Sequence, residues 1–279
     1  MAPVILVGDA HTQLESRKAK SVQCVVTSPP YFNLREYGDD LREIGRGSLA
    51  NYLDDLSLVM HELQRVVKDT GIVWFNIGDS YDDKGLMLIP ERFVIRAKAQ
   101  GWCVRSDVVW QKTRYMPNGG KNRPILVHEY VFMLTKIPSG YYFDPDALRS
   151  PHSPVSLKRW ASSGVARLGG KKSMGTKHAI DGHDVKHVVA NPKGKLGTTV
   201  WPICPSNYKG AHTAVMPEQL AERCILASTR PGDRVLDPFM GSGTTGVVAL
   251  RHGRHFTGIE LNPEYATLAK ERMSHVRTE

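Results

Sequence analysis

The chain has 279 residues, 41% of them hydrophobic and 23% charged, with a formal net charge of +9; that is enough chain for one large domain or two smaller ones. No apolar run approaches the roughly 20 residues that cross a bilayer, and the start "MAPVILVGDAHTQLES" reaches an Asp too soon for a signal peptide, so the protein is expected in the cytoplasm. Cys24, Cys103, Cys204 and Cys224 form no CxxC pair, which argues against zinc or redox work and for small buried side chains in a reducing compartment.

The pattern before residue 150 alternates. "VILV" (4–7) and "VQCVV" (22–26) are short and β-branched, as strands are. "LANYLDDLSLVMHELQRVVKDTG" (49–71) puts Leu53, Leu56, Met60, Leu63 and Val67 on one helical face and predicts a helix that stops at Gly71. "IVWFNIGD" reads as a buried strand and "IPERFVIRAKAQG" as a helix with Pro near its start and Gly at its end. "VRSDVVWQK" and "HEYVFMLTK" are strand-like again. From about 139 to 200 the periodicity collapses into Gly, Ser, Pro, His and Lys, and a stretch of that length is functional or disordered. Alternation then resumes: a helix in "MPEQLAERCILASTRPGD", a strand in "RVLDPF", a helix in "GTTGVVALRHG", a strand in "HFTGIEL" and a helix in "NPEYATLAKERMSHV". Such alternation predicts an α/β fold, a mostly parallel sheet with helices on both faces.

The irregular segment also carries the charge. Residues 150–210 hold ten Lys/Arg against Asp181 and Asp184, so +8 of the net charge lies there. They include Lys158, Arg159, Arg167, Lys171, Lys172 and Lys177, with Trp160, Trp201 and Tyr208 interleaved. Cations gathered in this way suit a polyanion, because neutralised phosphates release counterions. A solvated loop without a partner is the plainer alternative.

Two short motifs carry the chemistry. "TSPPY" (27–31) follows a strand: two prolines fix the backbone and remove donors, leaving the Ser28 hydroxyl and the Pro29 carbonyl as acceptors and Tyr31 as a ring. "VLDPFMGSGTTG" (235–246) is a strand, a Gly-containing turn and a helix start, where Gly241 and Gly243 permit positive φ and close ligand approach. Glu260 ends the next strand about twenty residues on, where an acid takes both hydroxyls of a ribose in nucleotide-binding α/β folds. No Lys follows the last Gly, so a nucleoside without a phosphate fits better than a nucleotide held by a P-loop. Asn76 and Asp79 of "NIGDSY" face the same cleft, contact target or cofactor, or cap the turn; the residues alone leave these open.

TSPPY followed much later by DPFMGSGTT resembles the β-type amino-group DNA methyltransferases that use S-adenosylmethionine. "ILVGDAHTQL", "WQKTRYMPNGGKNRPILVHEYVFMLTK", "HTAVMPEQLAERCI" and "GIELNPEY" extend the resemblance over nearly all of the chain outside 139–200. It implies a circularly permuted, Rossmann-like sheet of seven strands, with a catalytic domain over 1–138 and 201–279 and a target-recognition insert over 139–200. It implies S-adenosylmethionine as cofactor, with Glu260 on the ribose and Asp9 on the adenine side, where a turn cap is the alternative for Asp9. Asp237, Phe239, Gly241, Ser242, Gly243 and Thr244 then form the methionine end and the pocket wall, and Pro217 shapes the methionine side. Ser28, Pro29, Pro30 and Tyr31 become the catalytic residues, and Lys158, Arg159, Arg167, Lys171, Lys172 and Lys177 the DNA contacts. Ser at the first motif position, where many relatives carry Asp or Asn, favours cytosine N4 over adenine N6. Base flipping is implied because the amine sits inside a duplex; no metal is expected. The partners implied are double-stranded DNA and, as an open option, a cognate restriction endonuclease, with the chain a monomer or a homodimer. The rivals are a protein-glutamine or RNA methyltransferase, disfavoured by motif order, and a DNA-binding protein with an inactive fold.

Overall fold

Eight strands form one sheet in the computed structural model, which describes residues 2–32, 44–45, 47–115, 122–162, 191–206 and 216–277, with backbone alone for 159–162. In chain order they are β1 (Val4–Val7), β2 (Val22–Thr27), β3 (Val67–Ile77), the two-residue hairpin pair β4 (Tyr81–Asp82) and β5 (Gly85–Leu86) outside the sheet, β6 (Cys103–Lys112), β7 (His128–Thr135), β8 (Val200–Ile203), β9 (Arg234–Asp237) and β10 (His255–Glu260). The spatial order is β1-β10-β9-β2-β3-β7-β6-β8. Neighbours from β1 to β3 are parallel, β3/β7 and β7/β6 are antiparallel, and β6/β8 is parallel, so β7 alone runs against the other seven. The sheet is therefore mostly parallel, with eight strands rather than seven. The additional edge strand lies in "VWPI", where Val109, Trp110, Gln111 and Lys112 of β6 pair with Val200, Trp201, Pro202 and Ile203; the proline is tolerated because an edge strand leaves one row of donors unused.

The helices are α1 (Ala10–Glu15), α2 (Leu49–Val66), α3 (Ile89–Ala99), α4 (Pro154–Ser162), α5 (Glu218–Ser228), α6 (Thr244–Arg251) and α7 (Pro263–Ser274). α2 packs on α1 and α3, and α6 packs on α5 and α7. α2 starts at a Ser48 cap, whose hydroxyl accepts from Asn51 N at 3.2 Å, and buries Tyr52, Leu53, Leu56, Val59, Met60, Leu63 and Val66 at helical spacing. It ends at Val66 rather than Gly71, because Val67 turns to extended backbone (φ −73°, ψ 141°) and opens β3. Gly71 lies inside that strand, where pairing with β2 skips from Val67 to Ile72. A Cβ there would stand 2.5 Å from Val67 Cγ1 and 2.8 Å from the Gln23 carbonyl, so glycine marks the bulge instead of a helix stop. Among the described residues no helix is long and apolar enough to cross a membrane.

The chain divides into two compact units, one of residues 1–144 and 198–279, the other of residues 145–197. Residues 139–144 fall with the sheet: Tyr142 N donates to the Thr70 carbonyl at 2.9 Å and Asp144 N to that of Ala227 at 2.8 Å. The smaller unit, within 145–197, holds a 3₁₀ turn at Pro145–Leu148, α4, and a bridge from Ser150 to Lys195. α4 is a helix inside a segment that lacks sequence periodicity. Its signal is the Ser-Pro start: the Ser153 hydroxyl accepts from Ser156 N at 3.1 Å with Pro154 in the first turn.

Candidate active site

Strand direction gathers the polar residues at one edge. β1, β10, β9, β2 and β3 all end there, at Val7, Glu260, Asp237, Thr27 and Ile77, and the segments that follow carry Asp9, the Gly-rich turn, TSPPY and Asp79. The carboxyl edge of a parallel sheet is the usual place for a ligand in an open α/β fold. β6 also ends at this edge with Lys112, whereas β7 runs the other way and begins there with His128 and Glu129. The reversal of β7 thus delivers an acid to a row of strand C-termini.

Around TSPPY a buried hydrogen-bond cluster forms. The Ser28 hydroxyl donates to the Tyr31 oxygen at 3.2 Å, and the Tyr31 hydroxyl donates to Glu129 Oε2. Asn76, 2% exposed, turns its Nδ2 to Glu129 Oε2 at 2.8 Å, Tyr31 Oη at 2.9 Å and Ser28 Oγ at 3.3 Å. Three acceptors around that nitrogen fix the amide orientation, and Asn76 Oδ1 is left buried without a partner among the described residues. Lys112 Nζ lies 2.6 Å from Glu129 Oε1, so the carboxylate is paired on one oxygen and hydrogen-bonded on the other. Burial, then the Glu129 charge, holds the Tyr31 phenol well above its ordinary range, so it remains a donor. The Tyr31 ring edge lies against Gly78, where a Cβ would stand 2.9 Å from Tyr31 Cε2. The Tyr52 hydroxyl donates to the Pro30 carbonyl at 2.9 Å and anchors the second proline of the corner.

Thr27 and Thr245 clamp Asp237 of the Gly-rich motif. Its Oδ1 accepts from the Thr27 hydroxyl at 2.6 Å and from Phe239 N at 3.1 Å, and its Oδ2 from the Thr245 hydroxyl at 2.8 Å. Burial pushes the Asp237 carboxyl up to about 6 against these bonds. Glu260 accepts from Gly241 N at 2.7 Å on Oε2 and from Asn262 N at 2.9 Å on Oε1. The Leu261 N–H also bonds this carboxylate, the residue is only half-buried, and desolvation raises its carboxyl above the usual range. Gly241 is left-handed at φ +52°, a conformation that glycine permits.

Several motif residues point elsewhere. Asp9 caps α1, its Oδ1 accepting from Thr12 N at 2.9 Å and the Thr12 hydroxyl at 3.0 Å. Asp79 caps the start of α3 from outside, accepting from Leu88 N and Ile89 N at 3.1 Å each. The Ser242 hydroxyl takes Arg272 Nη1 of α7 at 2.9 Å, and the Thr244 hydroxyl stands 3.5 Å from the same nitrogen. Gly243 is left-handed at φ +83°, and a Cβ on it would stand 2.9 Å from Ala269 Cβ, so this glycine answers to the packing of α7. Phe239 packs partly against the core, and Pro217 is the buried cap of α5. Lys158 is exposed on α4; the side chains of Arg159 and Trp160, and all of Arg167, Lys171, Lys172, Lys177 and Tyr208, lie outside the described residues. Glu129, Lys112, Thr27 and Thr245 were not singled out from the sequence. Glu129 had a signal, being an acid in phase with Val131 and Met133 on a mostly apolar strand. Among the described residues no group of three or more His, Cys, Asp or Glu could hold a metal ion.

The chain has known relatives. The family model described as DNA methylase, that of the N6/N4 methyltransferases, matches residues 22–271. The chain is 34% identical over 298 residues to Type II methyltransferase M.SmaI of Serratia marcescens, covering 96% of this chain and 90% of that protein. It is 36% identical over 296 residues to Type II methyltransferase M.Cfr9I of Citrobacter freundii, covering 95% and 86%. Among solved structures, TTHA0409 of Thermus thermophilus complexed with S-adenosyl-L-methionine matches with TM-score 0.64 and 27% identity, over 98% of this chain and 93% of that one. The PvuII DNA methyltransferase (cytosine-N4-specific) matches in fold with TM-score 0.69 at 22% identity, over 96% and 85%. With the match running through both chemical motifs and most of the sheet, this chain belongs to the N6/N4 family of DNA methylases.

Proposed function

We propose that the protein transfers the methyl group of S-adenosylmethionine to the exocyclic N4 of a flipped-out cytosine in double-stranded DNA, as a Type II modification enzyme. The observation that carries this reading is the placing of the Ser28–Tyr31–Asn76–Glu129 cluster one residue from Thr27, whose hydroxyl bonds Asp237 of the Gly-rich turn. Methyl acceptor and methyl donor sites therefore share one sheet edge.

The donor side fits a nucleoside ligand. The half-exposed carboxylate of Glu260 suits the ribose hydroxyls, and its backbone bonds to Gly241, Leu261 and Asn262 hold it still. The left-handed Gly241 keeps that backbone open to close approach. S-adenosylmethionine supplies an electrophilic methyl group on a sulfonium. On the acceptor side, a cytosine or adenine amine has its lone pair delocalised into the ring and attacks poorly. Acceptors at its two N–H bonds draw the nitrogen toward tetrahedral geometry and hold it in line. The Ser28 hydroxyl and the Pro29 carbonyl serve there, and the unpartnered Asn76 Oδ1 is a further buried acceptor that a ligand N–H would satisfy. Tyr31 offers its ring for stacking, typically about 1–3 kcal/mol per base. The basic unit of 145–197, with Lys158 exposed on α4, takes the DNA backbone.

Serine in the first motif position supports cytosine N4; adenine N6 is the alternative, since the same acceptors serve either amine. Nucleoside mass spectrometry of DNA treated with the purified protein decides: N4-methylcytosine is expected, N6-methyladenine transfers the reading to adenine, and unmodified DNA defeats it.

A further inference from the structure

Glu129 has no part in the chemistry assigned so far, yet it is 7% exposed and bonded to Tyr31 and Asn76, and through them to Ser28. An acid in such a place needs a reason, because a buried carboxylate is costly unless partnered. Resting on the amine-methylation reading above, we infer that Glu129 is a positioning residue and the terminal proton acceptor of the transfer, reached from the target amine through Ser28 and Tyr31.

The proton balance calls for such a group. When the amine nitrogen forms its bond to the methyl carbon, the sulfonium–carbon bond breaks and its electron pair stays on sulfur. The nitrogen, now carrying the methyl group and a positive charge, must shed one proton. The Ser28 hydroxyl can take that proton as its own moves to the Tyr31 oxygen at 3.2 Å, and the Tyr31 proton moves to Glu129 Oε2, to which it is already bonded. Each oxygen in the chain gives one proton and gains one, and only Glu129 ends with an added proton. Tyr31 can pass a proton in this way without becoming a phenolate. Asn76 Nδ2 braces Glu129, Tyr31 and Ser28 at once, and Lys112 neutralises the other carboxylate oxygen at 2.6 Å. Among the described residues, the charged or titratable groups facing Glu129 are Lys112 of β6 and Tyr31 of the turn after β2, with Tyr52 of α2 acting on Tyr31.

The test uses the full chain with duplex substrate. Single-turnover methyl transfer is measured in H2O and in D2O for wild type, Glu129→Gln and Tyr31→Phe, and the affinities for DNA and S-adenosylmethionine are titrated separately. Wild-type transfer should slow in D2O, as a proton relay requires. Both variants should be slower by about 10- to 100-fold in H2O and lose that isotope effect, with affinities unchanged. A wild-type rate equal in the two solvents, a variant as fast as wild type, or a slowed variant that keeps the wild-type isotope effect overturns the inference. If Glu129→Gln fails to fold, Tyr31→Phe decides alone, since it keeps the ring against Gly78 and leaves the Glu129–Lys112 pair in place. Product analysis of the wild type judges the amine-methylation reading by itself, so the two failures are distinguishable.

Discussion

Thr27 and Asp237 lie 210 positions apart in the chain and share a 2.6 Å hydrogen bond between buried side chains. That bond joins the strand before TSPPY to the strand before the Gly-rich turn, so the two motifs are held in register by a direct contact as well as by the β2–β9 pairing. Its acceptor is a carboxyl that burial pushes up to about 6.

A pH-dependent stability follows. Because the folded Asp237 binds its proton more readily than the unfolded one, its contribution is fully present below about pH 4 and is lost as pH rises through about 6. Asp237→Asn can still accept from Thr27 and Phe239 while donating to Thr245, whose hydroxyl has the Val26 carbonyl 3.4 Å away. The variant should gain stability relative to wild type as pH rises from 4.5 to 8, by at most about 3 kcal/mol at about 1.4 kcal/mol per pKa unit. Thermal melts of the ligand-free proteins across that range check it. Parallel melting curves at every pH would show that Asp237 is not the titrating group.

Gly243 gives an instance where the sequence suggests ligand approach and the structure supplies a different cause. Replacing it with Val or Ala places a Cβ 2.9 Å from Ala269 Cβ at a φ of +83°, so α7 must shift. The positive φ alone costs about 1–2 kcal/mol. The ligand-free Gly243→Ala protein should therefore melt at a lower temperature than wild type. A variant with the wild-type melting temperature and no S-adenosylmethionine binding in calorimetry would restore the ligand explanation.

How much of the site could be read in advance depended on how local each signal is. TSPPY, the Gly-rich turn and Glu260 are runs or spacings that a single pass along the chain detects, and all three stand at the same sheet edge. Glu129 is there because β7 is reversed, and its register, setting Glu129 opposite Trp110, brings it to Lys112 at the end of β6; strand direction and register are not written in local composition. Thr27 and Thr245 were hidden by their ordinariness, since a threonine at a strand end or helix start has a dozen plainer explanations. The early helix stop at Val66 was missed because two adjacent valines fit either the end of a helical face or the start of a strand.

Charge in the smaller unit should govern DNA affinity without regard to sequence. Neutralising Lys158, Arg159, Lys171 and Lys172 together should weaken binding to every duplex. It should also reduce the dependence of log affinity on log salt by about 0.9 for each phosphate that the protein no longer neutralises. Filter binding over a salt series measures both. A wild-type salt slope in the quadruple variant would place the DNA-binding surface elsewhere.

The chemistry itself is tested by what the two buried cysteines cannot do. Methylation of a cytosine carbon needs a nucleophile to attack the ring, and a Cys thiolate is the usual one. Cys24, the cysteine nearest TSPPY in sequence, lies fully buried in β2, and burial drives its thiol far above the ordinary range; Cys224 is buried and shifted the same way. A thiol so placed stays protonated and cannot serve. Cys24→Ala should thus keep the wild-type product at a stability cost on the order of 1 kcal/mol. Ser28→Ala removes an acceptor where charge develops on the amine and also cuts the bond from Ser28 to Tyr31. Its turnover should fall by about 100-fold while the affinities for DNA and S-adenosylmethionine hold, the pattern of an interaction made mainly in the transition state. Steady-state kinetics with product identification on both variants settles the matter. A Ser28→Ala enzyme with wild-type turnover, or 5-methylcytosine as the product of any variant, would show that the reaction does not run through the amine at this corner.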